Sequence, residues 1–272
     1  MPRYFDTHAH YFSEKFDTLE GGAEALLSSP DFQDAVCGVV NVGTNLCNSK
    51  TAIDMAKKYD FMYAAVGIHP EDAQGLPDGT PLDLDSTLSG LWDMLSDSQK
   101  RKERKIVAVG EIGLDYHWQP MDKPLQKTFF AGQLEIAQKL DLPVIIHDRE
   151  AHGDVFDILL SYPQIRGVFH CYSGSAEMAK DLVRRGWYIA FGGAVTYKNA
   201  IRVREAAAAV PLERLLIETD APYMAPEPFR YKKICHSGML AHVVDVLSQI
   251  HGITHEAFAD LTEKNARKVF DL

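Results

Sequence analysis

The chain predicts a (β/α)8 barrel, and three observations predict it. Eight short apolar runs alternate with helical patterns. The runs are almost continuously apolar, as parallel strands covered on both faces are. Metal-ligating residue types recur where the runs end. The runs are 3–8, 36–42, 61–67, 105–111, 142–147, 167–170, 187–191 and 214–219.

The helical patterns follow in order. The connection 11–35 is irregular, with a short helix expected over 23–27. Patterns over 49–59, 86–104, 125–140, 154–160, 176–185 and 199–209 fill the later gaps, and 239–250 and 255–270 close the chain. Strand and helix alternating eight times give a barrel. A doubly wound open sheet is the rival, disfavoured because GxGxxG is absent and ligand types recur throughout. No repeat, low-complexity tract or linker divides the sequence, so 1–272 is expected to be a single domain.

Composition sets bounds. A chain of 272 residues with 46% hydrophobic and 24% charged residues is ordinary for a globular protein and argues against extensive disorder. No run of about eighteen apolar residues suggests a membrane span. The start MPRYFDTHAH lacks the apolar core of a secretion signal. Cys37, Cys47, Cys171 and Cys235 form no CxxC, which fits reduced thiols in a cytoplasmic protein. A formal charge of −10 argues against wrapping nucleic acid on a broad basic surface, but not against a pocket that grips a strand end with a few cations. The basic stretch 100–105 ends a helix just before the fourth strand and reads as a solvated face complementing the helix dipole.

Six residues carry the chemistry: His8, His10, Glu111, His147, His170 and Asp220, each at the end of an apolar run. In a parallel barrel all strand C-termini open on one face, so residues far apart in sequence are expected to converge there. Period-two geometry puts His8 and His10 on one side of the chain, with Asp6 below them. A carboxylate such as Glu111 can bridge two cations. Mixed imidazole and carboxylate ligation suits zinc, manganese or cobalt, and magnesium is compatible. Any one histidine can be an ordinary buried residue, and Asp220 can be a cap. Six such coincidences point instead to a metal site. No GxSxG competes, and Ser173 does not sit in a nucleophile elbow.

The segments DTHAH (6–10), GEIGLDY (110–116), IHDREAHGD (146–154), FHCYSG (169–174) and ETDAPYMAP (218–226) resemble, in order, the signature blocks of the TatD family of metal-dependent deoxyribonucleases, within the amidohydrolase-like barrels. The resemblance implies two divalent ions. His8, His10, Asp220 and Glu111 would hold one, and Glu111, His147 and His170 the other, with Glu111 bridging. It implies a hydrolase of DNA phosphodiesters, an exonuclease for preference, with Asp220 and Glu111 catalytic. Two departures stand out. Tyr11-Phe12 follows the HxH pair where an acidic residue is usual, and 228–234 reads PFRYKKI where relatives often read PFRGKRN, so Tyr231 replaces a glycine.

Substrate contacts are expected from His69, Arg149, Arg230, Lys232 and Lys233. The guanidinium forks of the two arginines match phosphate oxygens. His69 can touch substrate or a carboxylate, or simply cap the chain before Pro70. Tyr172, Tyr223, Phe229 and Tyr231 can stack bases. His117, His236, His242, His251 and His255 lack a strand-end setting and read as surface or helix residues. DNA, single-stranded or at a duplex end, is the expected partner. A barrel of this kind also supports hydrolysis of a small ester, amide, lactone or organophosphate, or a non-catalytic binding role.

Overall fold

The computed structural model describes residues 2–76, 78–231 and 233–272. Eight strands form one sheet in chain order: β1 (Tyr4–Ala9), β2 (Val36–Val42), β3 (Met62–Val66), β4 (Ile106–Asp115), β5 (Val144–Arg149), β6 (Gly167–Phe169), β7 (Tyr188–Phe191) and β8 (Leu215–Ile217). Neighbouring strands run parallel, helices fill the connections, and β1 bridges to the segment after β8 at Ala9 and Ala221. The fold is the (β/α)8 barrel that the alternation predicted. By internal contacts the chain groups into two compact units. One comprises the residues up to Asn41 together with His170–Leu272, and the other Val42–Phe169.

In the first unit every residue of β1, β7 and β8 is buried. The irregular first connection holds a 3-10 turn (Glu14–Thr18) and two short helices, Gly22–Ser28 and Pro30–Ala35. The expected 23–27 lies within the first of these. Ser29 separates the two helices: its hydroxyl accepts from Phe32 N, and Pro30 supplies a preset first turn.

In the second unit all ten residues of β4 are buried. Leu84 and Leu88, on the helix Leu84–Leu95, pack against Ile68 and Phe129. Full burial of Ile68 and Phe129 contributes about 1.5–3 kcal/mol each. The expected helix over 86–104 is two helices, Leu84–Leu95 and Ser98–Glu103, because the Asp97 carboxylate accepts from Gln99 N and Lys100 N and so starts a new helix. The second helix has no buried residue, as a solvated basic stretch requires. Lys105 behaves differently: its ammonium donates to the carbonyls of Ala56, Tyr59 and Asp60, which end the helix Leu46–Lys58.

Strand limits differ where they matter for the site. β4 runs to Asp115, so Glu111 lies inside the strand and not at its end. The apolar run breaks at Gly110, but pairing with β5 continues through Ile112–Ile146, Gly113–His147 and Asp115–Arg149. Gly113 permits this approach: its φ is +146°, and a Cβ there would lie 1.9 Å from the His147 carbonyl oxygen. His147 likewise precedes the end of β5 by two residues. β8 stops at Ile217, leaving Asp220 three residues beyond the strand in a left-handed conformation, φ +58°.

Candidate metal sites

The first unit holds His8, His10, His170 and Asp220. His8 is buried within β1 and His10 follows the strand's last residue. Their Nε2 atoms lie 3.0 Å apart, and Asp220 Oδ1 is 3.8 Å from the first and 3.4 Å from the second. The His170 ring stacks on His8, with centroids 4.0 Å apart. Ligand atoms of His8, His170 and Asp220 all fall within 4.8 Å of one another. The backbone sets this spacing, because Asp220 N donates to the His8 carbonyl and His10 N to that of Ala221.

Buried carboxylates brace this cluster from behind. Asp6 accepts from His8 N, Thr219 N, the Thr219 hydroxyl and the Ser237 hydroxyl, tying β1 to the segment that carries Asp220. Burial nevertheless raises its carboxyl to about 7. Glu218 is also raised by burial, with His170 opposing. Its Oε1 accepts from Cys171 N and lies 3.6 Å from His170 Nδ1, while its Oε2 is buried without a hydrogen-bond partner. Burial would raise Asp220 too, but the hydrogen bond from His10 and the charges of His10, His8 and His170 outweigh it and hold the carboxyl below its ordinary range. Tyr11 is buried. Its hydroxyl meets the Ser237 hydroxyl at 2.7 Å and accepts from Ser237 N, so it supports Asp6 through Ser237.

The second unit holds His69, Glu111 and His147, whose ligand atoms also fall within 4.8 Å. Glu111 Oε1 is 2.6 Å from His147 Nδ1 and 3.4 Å from His69 Nε2. His69 serves both of its expected ends: Nδ1 accepts from Glu71 N as a cap, which leaves Nε2 for Glu111. The other nitrogen of His147, Nε2, lies 2.9 Å from Asp115 Oδ2. That geometry assigns Nδ1 to the cluster and an Nε2–H donated to Asp115, the arrangement by which carboxylates orient metal-binding histidines. Burial opposes the Asp115 charge, and the hydrogen bond and charge of His147 prevail, so its carboxyl is lowered.

Sequence reasoning missed Asp115 and the two side chains that fix this unit's strand ends. Gln126 and Gln133, on the helix Lys123–Leu140, are buried. Gln126 accepts from Asp115 N and donates to the Asp115 carbonyl, and Gln133 does the same for Ile68 beside His69. A glutamine pair seven residues apart on an otherwise apolar helix face was the available signal. His117, read as a surface residue, is exposed. It stands two residues past the strand, and its N donates to Asp115 Oδ1.

The expected substrate contacts divide between the units. Arg149 closes β5 and lies over the Trp118 ring, 5.2 Å from its centroid. Arg230 lies over Tyr197 at 3.8 Å and Tyr231 at 4.7 Å, and Lys233 over Phe229 at 4.7 Å. Lys232 lies outside the described residues. Of the aromatic candidates, Tyr172 is buried with its hydroxyl donating to Ser175 O, which removes it as a stacking surface. Phe229 is half-buried against His242, whereas Tyr223 and Tyr231 are exposed.

The donor sets fit divalent ions. Two imidazole nitrogens 3.0 Å apart, with a carboxylate oxygen within 4 Å of both, present converging lone pairs that a cation satisfies. A (β/α)8 barrel with two such histidine–carboxylate clusters defines a class: barrels equipped to bind metal. The family model "TatD related DNase" matches residues 5–271, and the chain belongs to that family. It is 37% identical to the uncharacterized metal-dependent hydrolase YabD of Bacillus subtilis over 98% of each chain. It is 32% identical to YcfH of Escherichia coli, described in the same words, over 98% of this chain and 95% of that one. The crystal structure of YJJV, a TatD homolog from Escherichia coli, superposes with a TM-score of 0.87 at 31% identity, covering 99% of this chain and 98% of the other.

Proposed function

We propose that the protein is a metal-dependent hydrolase that cleaves phosphodiester bonds of DNA, acting as an exonuclease. The observation that carries this reading is the pair of histidine–carboxylate clusters, one in each unit. His8, His10, His170 and Asp220 would hold one divalent ion, and His69, Glu111 and His147 the other. Such ions, when bound, supply Lewis acidity toward a phosphoryl oxygen and toward an attacking water.

The chain's own residues do the rest. Asp220 keeps its negative charge because three imidazoles surround it, and about a fifth of its side chain is open to solvent. It is placed to take the proton of a water attacking phosphorus. As the new P–O bond forms and the old one breaks, that proton is delivered to the leaving oxygen. Asp115 keeps the His147 ring in register, and Glu218 adds a carboxylate 3.6 Å from His170 Nδ1. Arg149, Arg230, Lys232 and Lys233 contribute positive charge toward phosphates. Among the described residues no helix is long and apolar enough to cross a membrane. Among the described residues none of the four cysteines is in a disulfide, which supports a cytoplasmic location as part of the proposal.

The test compares metal-stripped protein with protein reloaded with zinc, manganese, cobalt or magnesium, on end-labelled DNA and on a panel of small esters and amides. Loss of cleavage on stripping, recovery on reloading and sequential shortening from one end are expected. Full activity in protein shown metal-free by elemental analysis overturns the metal reading. Turnover of small esters with DNA untouched overturns the deoxyribonuclease reading. In the same analysis Glu111→Gln separates two outcomes: loss of one ion confines Glu111 to its own cluster, and loss of both gives it the bridging role.

A further inference from the structure

Trp118 is the feature of the second unit that the catalytic reading leaves unused. It stands three residues past the end of β4 with 54% of its surface exposed. A tryptophan that merely anchored a loop would bury its ring, because indole burial is among the largest apolar gains available. Here the ring is held in place yet left open. The His117 imidazole meets it edge-on, with centroids 4.8 Å apart and planes at 82°. His117 is itself fixed, its Nδ1 lying 2.7 Å from Glu150 Oε1 and its N donating to Asp115 Oδ1. The Arg149 guanidinium lies over the indole, 5.2 Å from its centroid.

The pair is tied to the metal-binding cluster by short connections. Asp115 contacts His147 Nε2, and Arg149 follows His147 by two residues in β5, which puts both side chains on one face of that strand. Tyr116 N donates to the Arg149 carbonyl, joining the Trp118 loop to the same strand end. A fixed, open indole beside a guanidinium matches one ligand chemistry: a flat π-system joined to an anion, as in a nucleotide.

We propose that Trp118 and Arg149 form a nucleotide subsite, in which an unpaired base stacks on the indole and the guanidinium holds an adjoining phosphate. This deepens the deoxyribonuclease reading and rests on it. Trp118 would then set a preference for strands that carry a base at that position, a preference a loop anchor would not create.

The experiment measures KM for a short oligothymidylate and for the same strand with abasic residues at its end, in the metal-loaded wild type, Trp118→Ala and Trp118→Phe. In the wild type, removing the bases should raise KM by about five- to 150-fold, the scale of one base–aromatic stack. In Trp118→Ala that ratio should collapse toward one, and Trp118→Phe should restore much of it. An unchanged ratio in Trp118→Ala overturns the inference and leaves the deoxyribonuclease reading standing. A second readout needs no turnover: oligothymidylate added to metal-stripped protein should quench indole fluorescence, and Trp118→Phe should remove that quench although Trp92 and Trp187 remain. If the wild type fails to cleave DNA, the deoxyribonuclease reading falls and this titration still decides stacking. A quench that persists in Trp118→Phe, or none in the wild type, overturns the subsite.

Discussion

Asp115→Asn tests whether the second unit's cluster is built to bind metal through His147 Nδ1. The two side chains are nearly inaccessible, with Asp115 1% and His147 15% exposed, and Oδ2 lies 2.9 Å from Nε2. An ionised acceptor at that distance fixes the proton on Nε2 and leaves the Nδ1 lone pair beside Glu111 and His69. Asparagine keeps one oxygen for His117 N, so the local fold is retained, but it turns an N–H toward His147. The imidazole proton then moves to Nδ1 and blocks the atom that faces the cluster. Loss of such an orienting carboxylate costs about ten- to 100-fold in metal affinity, or about 1.4–2.7 kcal/mol. Competition against a fluorescent chelator reads the affinity, and a thermal melt of metal-free protein checks the fold. Affinity within about twofold of wild type, with the melt unchanged, would refute both the tautomer assignment and the role of Asp115.

Three further outcomes are expected. Asp220→Asn keeps the shape but removes charge and basicity, so turnover at saturating metal should fall by roughly 10²–10⁴ while the fold survives; a variant less stable yet fully active would make Asp220 a structural cap. His236 is pushed down to about 4 by burial, with the Lys233 charge adding to it. The unfolded chain therefore binds this proton more readily, so the stability is complete above about pH 6.5 and falls by up to about 3 kcal/mol as pH drops toward 4. Denaturant titrations from pH 7 to 4.5 should show a flatter acid limb in His236→Gln, and identical limbs would reject the assignment. Lys233→Gln should lower the salt dependence of DNA binding by about 0.7–0.9 in log–log slope if the ammonium meets a phosphate, and an unaltered slope excludes that contact.

How much of this was legible depended on whether a residue's role was local. His10 and His170 follow strands directly, so apolar periodicity was enough to place them. Glu111 was recognised by type but misplaced, because hydrophobicity breaks at Gly110 whereas hydrogen bonding with β5 continues. Asp115 was invisible for the same reason: its partner is set by the Gly113–His147 register, a tertiary fact, and an acid after Gly-Leu reads as a turn. His69 was framed as a choice between cap and site because a sequence gives one residue one letter, whereas imidazole has two nitrogens and here each takes one role.

The acidic balance of the chain looked like weak evidence against DNA, and the distribution of its cations explains why it carries so little weight. Within helices, cations pair with carboxylates a turn away, as in Lys57–Asp54, Lys100–Asp97 and Lys139–Glu135. Other cations lie over aromatic rings. Lys15 lies over Tyr223, Lys123 over Tyr116, Arg149 over Trp118, and Arg230 over Tyr197 and Tyr231. A carboxylate partner cancels charge, while a ring face holds a cation in position and leaves its field intact for an incoming anion. Exposed ion pairs are worth little to stability, so the helical pairs mainly hide charge. Net charge sums both populations, and the second keeps its field available to an anion.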